Sequence, residues 1–331
     1  MTDHPQRYGD PLTDVLTLVG IVSAPALRLE LDVPSAISFP GSLPVEYGSV
    51  IQGSCWLCLP TQTEPHQLVA GDCYVIIGGQ PYTLRLDPDH QRSDAPLMDV
   101  NTMVADHRAP DGVVRAWKGS APQTVLICGG FQLQENADLL LEALPGWIHL
   151  SASATAMPLL HAALHALAQE TCANEPGSQL ITASLAQIVL VQMLRGYAAS
   201  QQCHRGSGAW LGAFSDERIR RSLQLMHGDP LRRWTLPELA NGAKMSRSGF
   251  ALRFKTLVGT PPLDYLLRWR MRRAGQVLRD SDRTISSLAS EYGYASESAF
   301  SASFKRAMGC SPRHYRTRQG EVSGLSDGCI A

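Results

Sequence analysis

The chain has 331 residues, with a charged content of 18% and a hydrophobic content of 44%. This balance excludes an intrinsically disordered protein, and the length predicts two globular domains. The formal net charge of −1 conceals an asymmetry, because residues 216–318 hold 20 Lys and Arg against 9 Asp and Glu, whereas the rest holds 9 against 21. A basic segment joined to an acidic one is typical of a nucleic-acid-binding domain fused to a domain with another task.

The polar start and the apolar runs of the chain predict its compartment. Residues 1–14 are polar and do not resemble a signal peptide. The most apolar run, residues 180–194, is interrupted by polar side chains and is shorter than the about 20 residues that cross a bilayer. We therefore expect a cytoplasmic protein with no membrane partner, in which the eight cysteines are thiols rather than disulfides.

Residues 10–150 are predicted to be rich in β-strands. Short apolar runs, among them residues 49–59, 73–77 and 124–133, are separated by turns that contain Gly, Asp or Pro. Many short strands punctuated in this way favour a sandwich or a small barrel.

Two helices are predicted for the next region, residues 151–199. The second begins near Ser178 and is apolar almost all round, so it must be buried against the barrel or against a partner chain. We expect this region to dimerise the protein or to link its domains. A polar, Gly-rich stretch then predicts an interdomain linker over residues 200–215.

A ten-residue pattern occurs twice in the last third of the chain, offset by 50 residues. The copies read Ser246-x-Ser248-x-Phe250-x-x-x-Phe254-Lys255 and Ser296-x-Ser298-x-Phe300-x-x-x-Phe304-Lys305. In each copy the first Ser can cap a helix, the two Phe share one helix face, and a Gly follows at the helix end. A shorter helical segment precedes each copy. Two helix-turn-helix units in tandem indicate a protein that reads two successive major-groove segments of double-stranded DNA.

The fixed spacings extend well beyond the two copies. They include Trp234-Thr235-Leu236, Gly259-x-x-Pro262, Arg268-x-Arg270-Met271, Gly293-Tyr294 and Ser311-Pro312-x-x-Tyr315-Arg316. This arrangement closely resembles the AraC/XylS family of bacterial transcription regulators. Residues 10–150 also resemble the cupin-type sensor domain of a subgroup of that family, through residues 10–16, 53–57, 70–72, 128–131 and 143–145.

The resemblance implies an α+β fold in two parts. Residues 10–150 would form a β-rich, cupin-like barrel that acts as the sensor, followed by the helical bundle of residues 151–199. After the linker, residues 216–318 would form an all-α DNA-binding domain of two helix-turn-helix units. The helix over residues 262–279 would join the units, so that a monomer can read two adjacent major grooves.

The connecting helix has the dimensions and the charge for that task. Its length of ~27 Å, at ~1.5 Å per residue, is comparable to the ~34 Å of one DNA turn. Some of its five arginines are expected to contact phosphates: Arg268, Arg270, Arg272, Arg273 and Arg279.

The first recognition helix is predicted over residues 246–257, with its two Phe facing the core. The candidate DNA-contacting side chains lie on the other face: Arg247, Ser248, Ala251, Leu252 and Lys255. Arg247 can pair with a guanine or bind a phosphate. Family members often carry a long polar residue where this chain has Leu252, so we expect an apolar contact there, for example with a thymine methyl group.

The second recognition helix is predicted over residues 296–307. Its candidate contacts are Glu297, Ser298, Ser301, Ala302, Lys305 and Arg306. Glu297 can accept a hydrogen bond from a cytosine amino group or simply stabilise the helix N-terminus. Because Ala302 has no polar reach while Lys305 and Arg306 can bind the DNA backbone, this unit is expected to supply affinity more than sequence choice.

The N-terminal half contains few signs of catalysis. Metal-binding cupins supply a His-x-His pair, which residues 1–150 do not contain, and Tyr82 stands where such barrels often place a His. No metal, cofactor or catalytic residue is therefore expected, and the protein is not expected to be an enzyme. If the barrel binds a small effector, Trp56 and Tyr82 are the candidates for aromatic contact.

Four cysteines lie on the predicted strands of the barrel. Cys55 and Cys58 are three residues apart and therefore face opposite sides, and buried strand cysteines usually act as small apolar side chains. Redox sensing by a thiol remains open, since an accessible thiolate reacts with oxidants. Cys128 is the first candidate because it lies beside Gly129 and Gly130 at the predicted end of a strand.

We therefore expect a sequence-specific transcription activator whose N-terminal domain binds a small effector of unknown identity. Its expected partners are double-stranded DNA, RNA polymerase and a second copy of the chain. Two alternatives stay open: a regulator that senses oxidants or electrophiles through a thiol, and a cupin enzyme fused to a DNA-binding domain. A DNA-binding protein without a signal, whose N-terminal half only dimerises, is a third.

Overall fold

The computed structural model of the chain describes residues 9–32, 36–86, 97–117, 121–134, 136–142, 144–152, 157–173, 175–200 and 210–322. These residues form two compact units, one built from residues 20–200 and the other from residues 9–19 together with residues 210–322. The α+β architecture expected from the sequence is confirmed, since strands dominate the first unit and helices the second. Most of the expected linker lies outside the described residues, and its last part, Trp210–Ser215, forms a 3-10 helix.

The strands of the first unit pair into two sheets. Their bounds are β1 (Ile21–Ser23), β2 (Leu27–Leu31), β3 (Ala36–Phe39), β4 (Val45–Gln52), β5 (Ser54–Cys58), β6 (His66–Val69), β7 (Cys73–Ile77), β8 (Tyr82–Arg85), β9 (Leu97–Asp99), β10 (Val114–Ala116), β11 (Thr124–Leu133) and β12 (Trp147–Leu150). One sheet has the order β10-β2-β11-β4-β7-β12, with β1 also paired to β11, and the other has the order β6-β5-β8-β3-β9.

The two sheets enclose one apolar core, because side chains alternate between the faces of each strand. In β5, for example, Cys55 and Leu57 are buried while Trp56 between them is only half-buried. Leu29 and Leu126 from one sheet and Ile37 from the other join the same cluster. Burying each such side chain contributes about 1.5–3 kcal/mol, so this cluster is a main source of the barrel's stability.

In the described part of this unit, four helices flank or connect these strands: α2 (Val100–His107), α3 (Asp138–Leu141), α4 (Pro158–Ala173) and α5 (Ser178–Ala199). Helices α4 and α5 pack on each other, α4 contacts β2 and β11, and α5 contacts β1 and β12. The sequence predicts that α5 is buried against the barrel or against a partner chain, and the structure leaves Leu180, Ile181 and Ile188 exposed on one side. By length and composition alone α5 could also cross a membrane, although 39% of its most apolar window is buried inside the protein.

The second unit consists of helices, with bounds α1 (Pro11–Val19), α6 (Glu217–Gly228), α7 (Leu236–Gly242), α8 (Arg247–Val258), α9 (Pro262–Asp280), α10 (Ile285–Glu291), α11 (Glu297–Met308) and α12 (Pro312–Val322). Helices α7 and α8 form the first helix-turn-helix unit, α10 and α11 form the second, and α9 connects them. Phe250, Phe254, Phe300 and Phe304 are fully buried, so the repeated Phe pair anchors each recognition helix to its own core.

The duplicated pattern is also visible in the hydrogen bonds that begin and end the recognition helices. The Ser246 hydroxyl accepts from the Gly249 N–H at 3.3 Å, and the Ser296 hydroxyl accepts from the Ala299 N–H at 3.2 Å. Each helix ends at a glycine in the left-handed region, Gly259 at φ +84° and Gly309 at φ +78°. Glycine adopts this conformation without the steric cost that other residues meet.

The turns inside the two helix-turn-helix units differ in length by one residue. In each turn one residue adopts a positive φ, Lys244 at +54° in the first unit and Gly293 at +75° in the second. Two positions separate Lys244 from the capping Ser246, whereas three separate Gly293 from Ser296. The second turn therefore carries one extra residue before its recognition helix.

The N-terminal helix α1 lies in the helical unit, although the family resemblance begins the sensor domain at residue 10. The Gly9 N–H donates to the Gln224 carbonyl at 2.9 Å, and the Asp14 carboxylate contacts His227 at 3.0 Å. Strand β1 follows α1 after a single residue, Gly20. The chain thus begins on the helical unit before it enters the barrel.

Candidate nucleic-acid interface and barrel interior

The first recognition helix, α8, presents its N-terminal half to solvent. Arg247, Ser248, Leu252 and Lys255 are exposed, and Ala251 is half-buried. Leu252 is 71% exposed, although a single exposed Leu is ordinary on a protein surface. The residues selected from the sequence therefore lie together on one accessible face.

Arg253 on the same helix was missed by the sequence analysis. Its guanidinium forms an ion pair with Asp216, whose carboxylate also accepts from the N–H groups of Arg218 and Ile219 at the start of α6. These interactions hold the pKa of Asp216 below its usual value, against the opposing effect of burial. Arg253 thus joins α8 to α6, and no sequence spacing indicates this pairing.

The second recognition helix, α11, has a similar exposed face. Glu297, Ser298, Ala302, Lys305 and Arg306 are exposed, whereas Ser301 is half-buried. The Ser298 and Ser296 hydroxyls lie 2.9 Å apart and share a hydrogen bond. Ser298 is therefore hydrogen-bonded at the start of the helix.

The connecting helix α9 has 19 residues and so spans about 28 Å. Its arginines do not share one environment. Arg268 is exposed, Arg270 donates to the Tyr292 carbonyl, and Arg279 donates to the Tyr315 hydroxyl at 3.3 Å. Arg270 and Arg279 thus bind within the helical unit, which leaves Arg268 better placed to reach phosphate.

A buried polar cluster lies between α1, α6 and α9, and no motif in the sequence indicates it. The side chain of His227 contacts Asp14 at 3.0 Å and the Tyr265 hydroxyl at 2.7 Å. The ring of His227 also lies 4.1 Å from that of Trp269. A polar side chain on an amphipathic helix gives no indication of a partner 213 residues away.

The barrel interior contains a second set of buried polar groups. The hydroxyl of Tyr74 lies 3.6 Å from the sulfur of Cys128. Tyr82 is hydrogen-bonded to Tyr74 and to Glu46. Burial raises the pKa of both tyrosines well above the usual value. Gly48 makes room for the Tyr74 hydroxyl, which would lie 2.3 Å from a Cβ atom at that position.

The two residues selected as effector contacts are placed differently. Tyr82 is buried in the core, where its ring stacks on Phe39 at 4.5 Å. Trp56 lies between the core residues Cys55 and Leu57 on β5 and therefore points to the opposite face of the sheet. The interior thus includes Tyr82 but not Trp56.

Cys128 does not have the properties that a reactive thiol requires. It lies within β11 rather than at its end and is only 3% exposed. Burial raises the pKa of the Cys128 thiol to about 12, although the hydrogen bond with Tyr74 acts in the opposite direction. Since the thiolate is the reactive form, this environment suppresses the chemistry proposed for it.

The remaining barrel thiols and acidic groups form no metal cluster among the described residues. Burial also raises the pKa of Cys73 to about 11, and burial raises the pKa of Cys55. Asp72 accepts from the Ala152 N–H at 2.9 Å and lies 3.2 Å from His149. Asp72 therefore connects β12 and the residue at position 152 to the turn before β7.

Comparison with known proteins matches both units. Residues 10–199 match the cupin family model, and residues 239–318 match a helix-turn-helix domain model. The chain is 39% identical to an AraC-like transcription regulator of Streptomyces lividans, over 93% of this chain and 98% of that one.

Two further matches are shorter. The RCS-specific HTH-type transcriptional activator RclR of Escherichia coli is 30% identical over 59% of this chain and 68% of that protein. Among solved structures, the DNA-binding domain of AdpA in complex with a target DNA is 26% identical, covering 36% of this chain and 99% of that one, with a TM-score of 0.27.

Proposed function

Because this chain belongs to the AraC family of DNA-binding transcription regulators and carries a cupin domain before its helix-turn-helix domain, we propose that one protomer reads two adjacent major-groove segments. The main support is the duplicated unit, in which two exposed recognition helices are held by the same caps and the same buried Phe pairs. The connector of about 28 Å is comparable to one turn of DNA, about 34 Å.

The two recognition helices have different parts in this proposal. Helix α8 supplies Arg247 for a guanine or a phosphate and Leu252 for an apolar base edge. Helix α11 contacts the backbone through Lys305 and Arg306, while Glu297 lies at the helix start. The first unit therefore chooses the sequence and the second mainly adds affinity.

The barrel is proposed to bind a small effector rather than to convert a substrate. In the described part of the barrel, the interior is lined mainly by apolar side chains and also holds Glu46, Tyr74, Tyr82 and Cys128. A few polar groups in an apolar interior are typical of sites that orient a small ligand. We propose that these groups, with Tyr82 at the centre, recognise a polar group of the effector.

Thiol sensing is the second candidate for the signal. The burial and raised pKa of Cys128 favour a bound effector over it. If a thiol does respond to oxidants, the half-buried cysteines Cys58, Cys172 and Cys310 are better placed than Cys128 to begin the reaction.

We further propose that the protein is a cytoplasmic activator that contacts RNA polymerase and dimerises through α5. Activation is supported by the name of RclR. Dimerisation is supported by the exposed side chains of Ile181 and Ile188, which are seven residues apart on one face of α5 and suit a helix–helix contact with a second copy. The same apolar face would account for the composition of α5 without a membrane.

Selection of binding sites from random double-stranded DNA tests the proposed function directly. The full chain should enrich a site with two contacted segments about one turn apart, and affinity for it should fall steeply with salt because the basic domain displaces counterions. Residues 20–200 alone should enrich nothing. Enrichment of a single short segment would contradict reading by both units.

A further inference from the structure

An arginine that precedes the first helix-turn-helix unit binds the turn of the second. Arg233 lies in the segment between α6 and α7, before the first unit, and its guanidinium donates to the carbonyl of Gly293 in the second. These residues are 60 positions apart. Gly293 belongs to the turn between α10 and the recognition helix α11, so Arg233 binds the element that sets where α11 begins.

A second arginine binds the same turn from the connecting helix. Arg270 donates to the carbonyl of Tyr292, the neighbour of Gly293, and its guanidinium carbon lies 5.9 Å from the centre of the Tyr292 ring. The two carbonyls lie at the C-terminal end of α10, where the helix dipole favours positive charge. Burial lowers the pKa of Arg270, and the nearby charge of Arg233 acts in the same direction.

The residue at position 293 fits this arrangement. A Cβ atom there would lie 3.2 Å from the Arg233 Nε atom, and the backbone φ of +75° favours glycine. The corresponding turn of the first unit tolerates Lys244 at φ +54°. The second turn therefore uses glycine where the arginine approaches closely.

The neighbouring Arg232 has a different role. Its guanidinium stacks over Trp234 at 4.0 Å from the ring centre and pairs with Glu238 at 2.8 Å. Both partners belong to the first unit or to the segment just before it. The two adjacent arginines thus bind different elements. Arg232 contacts residues in or next to the first helix-turn-helix unit, whereas Arg233 contacts the second.

We propose that Arg233, together with Arg270, is a positioning residue that fixes the spacing and rotation between the two recognition helices, and hence the spacing of the DNA segments that the protein accepts. This inference rests on the proposed function, since it requires both units to bind DNA. One inserted base pair moves the second segment by about 3.4 Å and turns it by about a tenth of a turn. If the two recognition helices are fixed relative to each other, they cannot move to match the shifted segment. If the contact that fixes them is lost, they can.

The experiment compares full-length Arg233→Ala with the matched control Arg232→Ala, because each removes one positive charge from the same segment. The probe is the double-stranded site that the wild-type protein selects from random DNA, with one base pair inserted or removed between its two segments. We expect wild type and Arg232→Ala to lose affinity about tenfold or more on the altered sites. Arg233→Ala should lose less than about threefold relative to its own best site.

Two additional variants keep the test independent of folding. Arg233→Lys, which retains the charge and a donor, should recover part of the wild-type spacing preference. Gly293→Ala, which obstructs Arg233, should relax the preference as Arg233→Ala does, and it carries the test if Arg233→Ala does not fold by circular dichroism.

The outcomes separate the two proposals. An Arg233→Ala protein with the wild-type spacing preference, or equal relaxation in Arg232→Ala, overturns the positioning role while the reading of two segments stands. A wild-type protein that selects a site with no spacing preference overturns both.

Discussion

The Nδ1 atom of His227 lies 3.0 Å from the Oδ2 atom of Asp14, and its Nε2 atom lies 2.7 Å from the Tyr265 hydroxyl. A neutral ring satisfies both contacts if Nδ1–H donates to Asp14 and Nε2 accepts from Tyr265. Burial lowers the pKa of His227, although the hydrogen bond and the charge of Asp14 act in the opposite direction. The N-terminal helix is thereby attached to the helical unit by a group that prefers to remain uncharged.

The first prediction concerns pH. Because the folded pKa of His227 lies below its ordinary value of about 6.5, the unfolded chain takes up a proton first as the pH falls. Above about pH 6.5, the free energy of unfolding should therefore not depend on this group. As the pH falls from about 6.5 to the folded pKa, the free energy of unfolding should decrease by up to about 1.4 kcal/mol per pH unit. Urea denaturation at pH 7.5 and 5.5 measures the difference.

His314 provides the control for that measurement, because it is exposed on α12. His227→Gln should show a smaller loss of stability between the two pH values than wild type, whereas His314→Gln should behave as wild type. Identical pH dependence in all three proteins would show that His227 titrates equally in the folded and unfolded states.

The second prediction concerns α1 as part of the DNA-binding unit. A fragment of residues 207–331 leaves His227 without Asp14, and an unpaired buried donor costs about 1–3 kcal/mol. Adding a peptide of residues 9–20 should raise the melting temperature of the fragment, and the increase should grow with the logarithm of the peptide concentration once that concentration exceeds the Kd. The same peptide with Asp14→Ala should stabilise the fragment less. Equal stabilisation by both peptides would remove the Asp14 contact as the cause.

The third prediction concerns readout by the first recognition helix. Arg247→Ala should weaken binding to the selected site by about 1–3 kcal/mol if Arg247 reads a base, and should relax the preference at one position of that site. Arg218→Ala removes the same charge from an exposed position on α6 and should leave the sequence preference intact. Competition binding against single-base variants of the site measures both. An unchanged preference in Arg247→Ala would assign Arg247 to phosphate contact or to none.

The fourth prediction concerns thiol accessibility. Alkylation of the native protein at pH 7.5 should modify the half-buried Cys172 and Cys310 before the buried Cys55, Cys73 and Cys128, since burial both shields the sulfur and raises the thiol pKa. Mass spectrometry after short labelling times gives the order, and labelling in urea gives the rate for accessible thiols. Rapid native labelling of Cys128 would revive it as the first candidate for an oxidant switch.

Short sequence patterns predict many of the helices and strands of the fold. The repeated Ser, Phe pair and Gly predict the recognition helices to within about one residue of their bounds, because capping and an i, i+4 apolar pair act within one helix. Alternating apolar runs likewise predict the β-rich character of the barrel. Strand alternation could also have excluded Trp56 from the interior, given that Cys55 and Leu57 point inward.

The contacts between segments that are far apart in the chain could not be predicted from the sequence. Asp14 with His227, Arg233 with Gly293 and Arg253 with Asp216 each link residues far apart in the chain, and a charged side chain looks the same in the sequence whether it faces water or a partner. The environment of Cys128 was equally hidden, because a Gly-Gly sequence after it suggests an open backbone while the paired sheet buries it. Capping, periodicity and charge distribution determined the helices, the strands and the DNA-binding half by themselves, since each acts over a few residues. The tertiary structure alone decided where α1 docks, which arginines remain available to DNA and which thiols are accessible, since those depend on segments that meet only after folding.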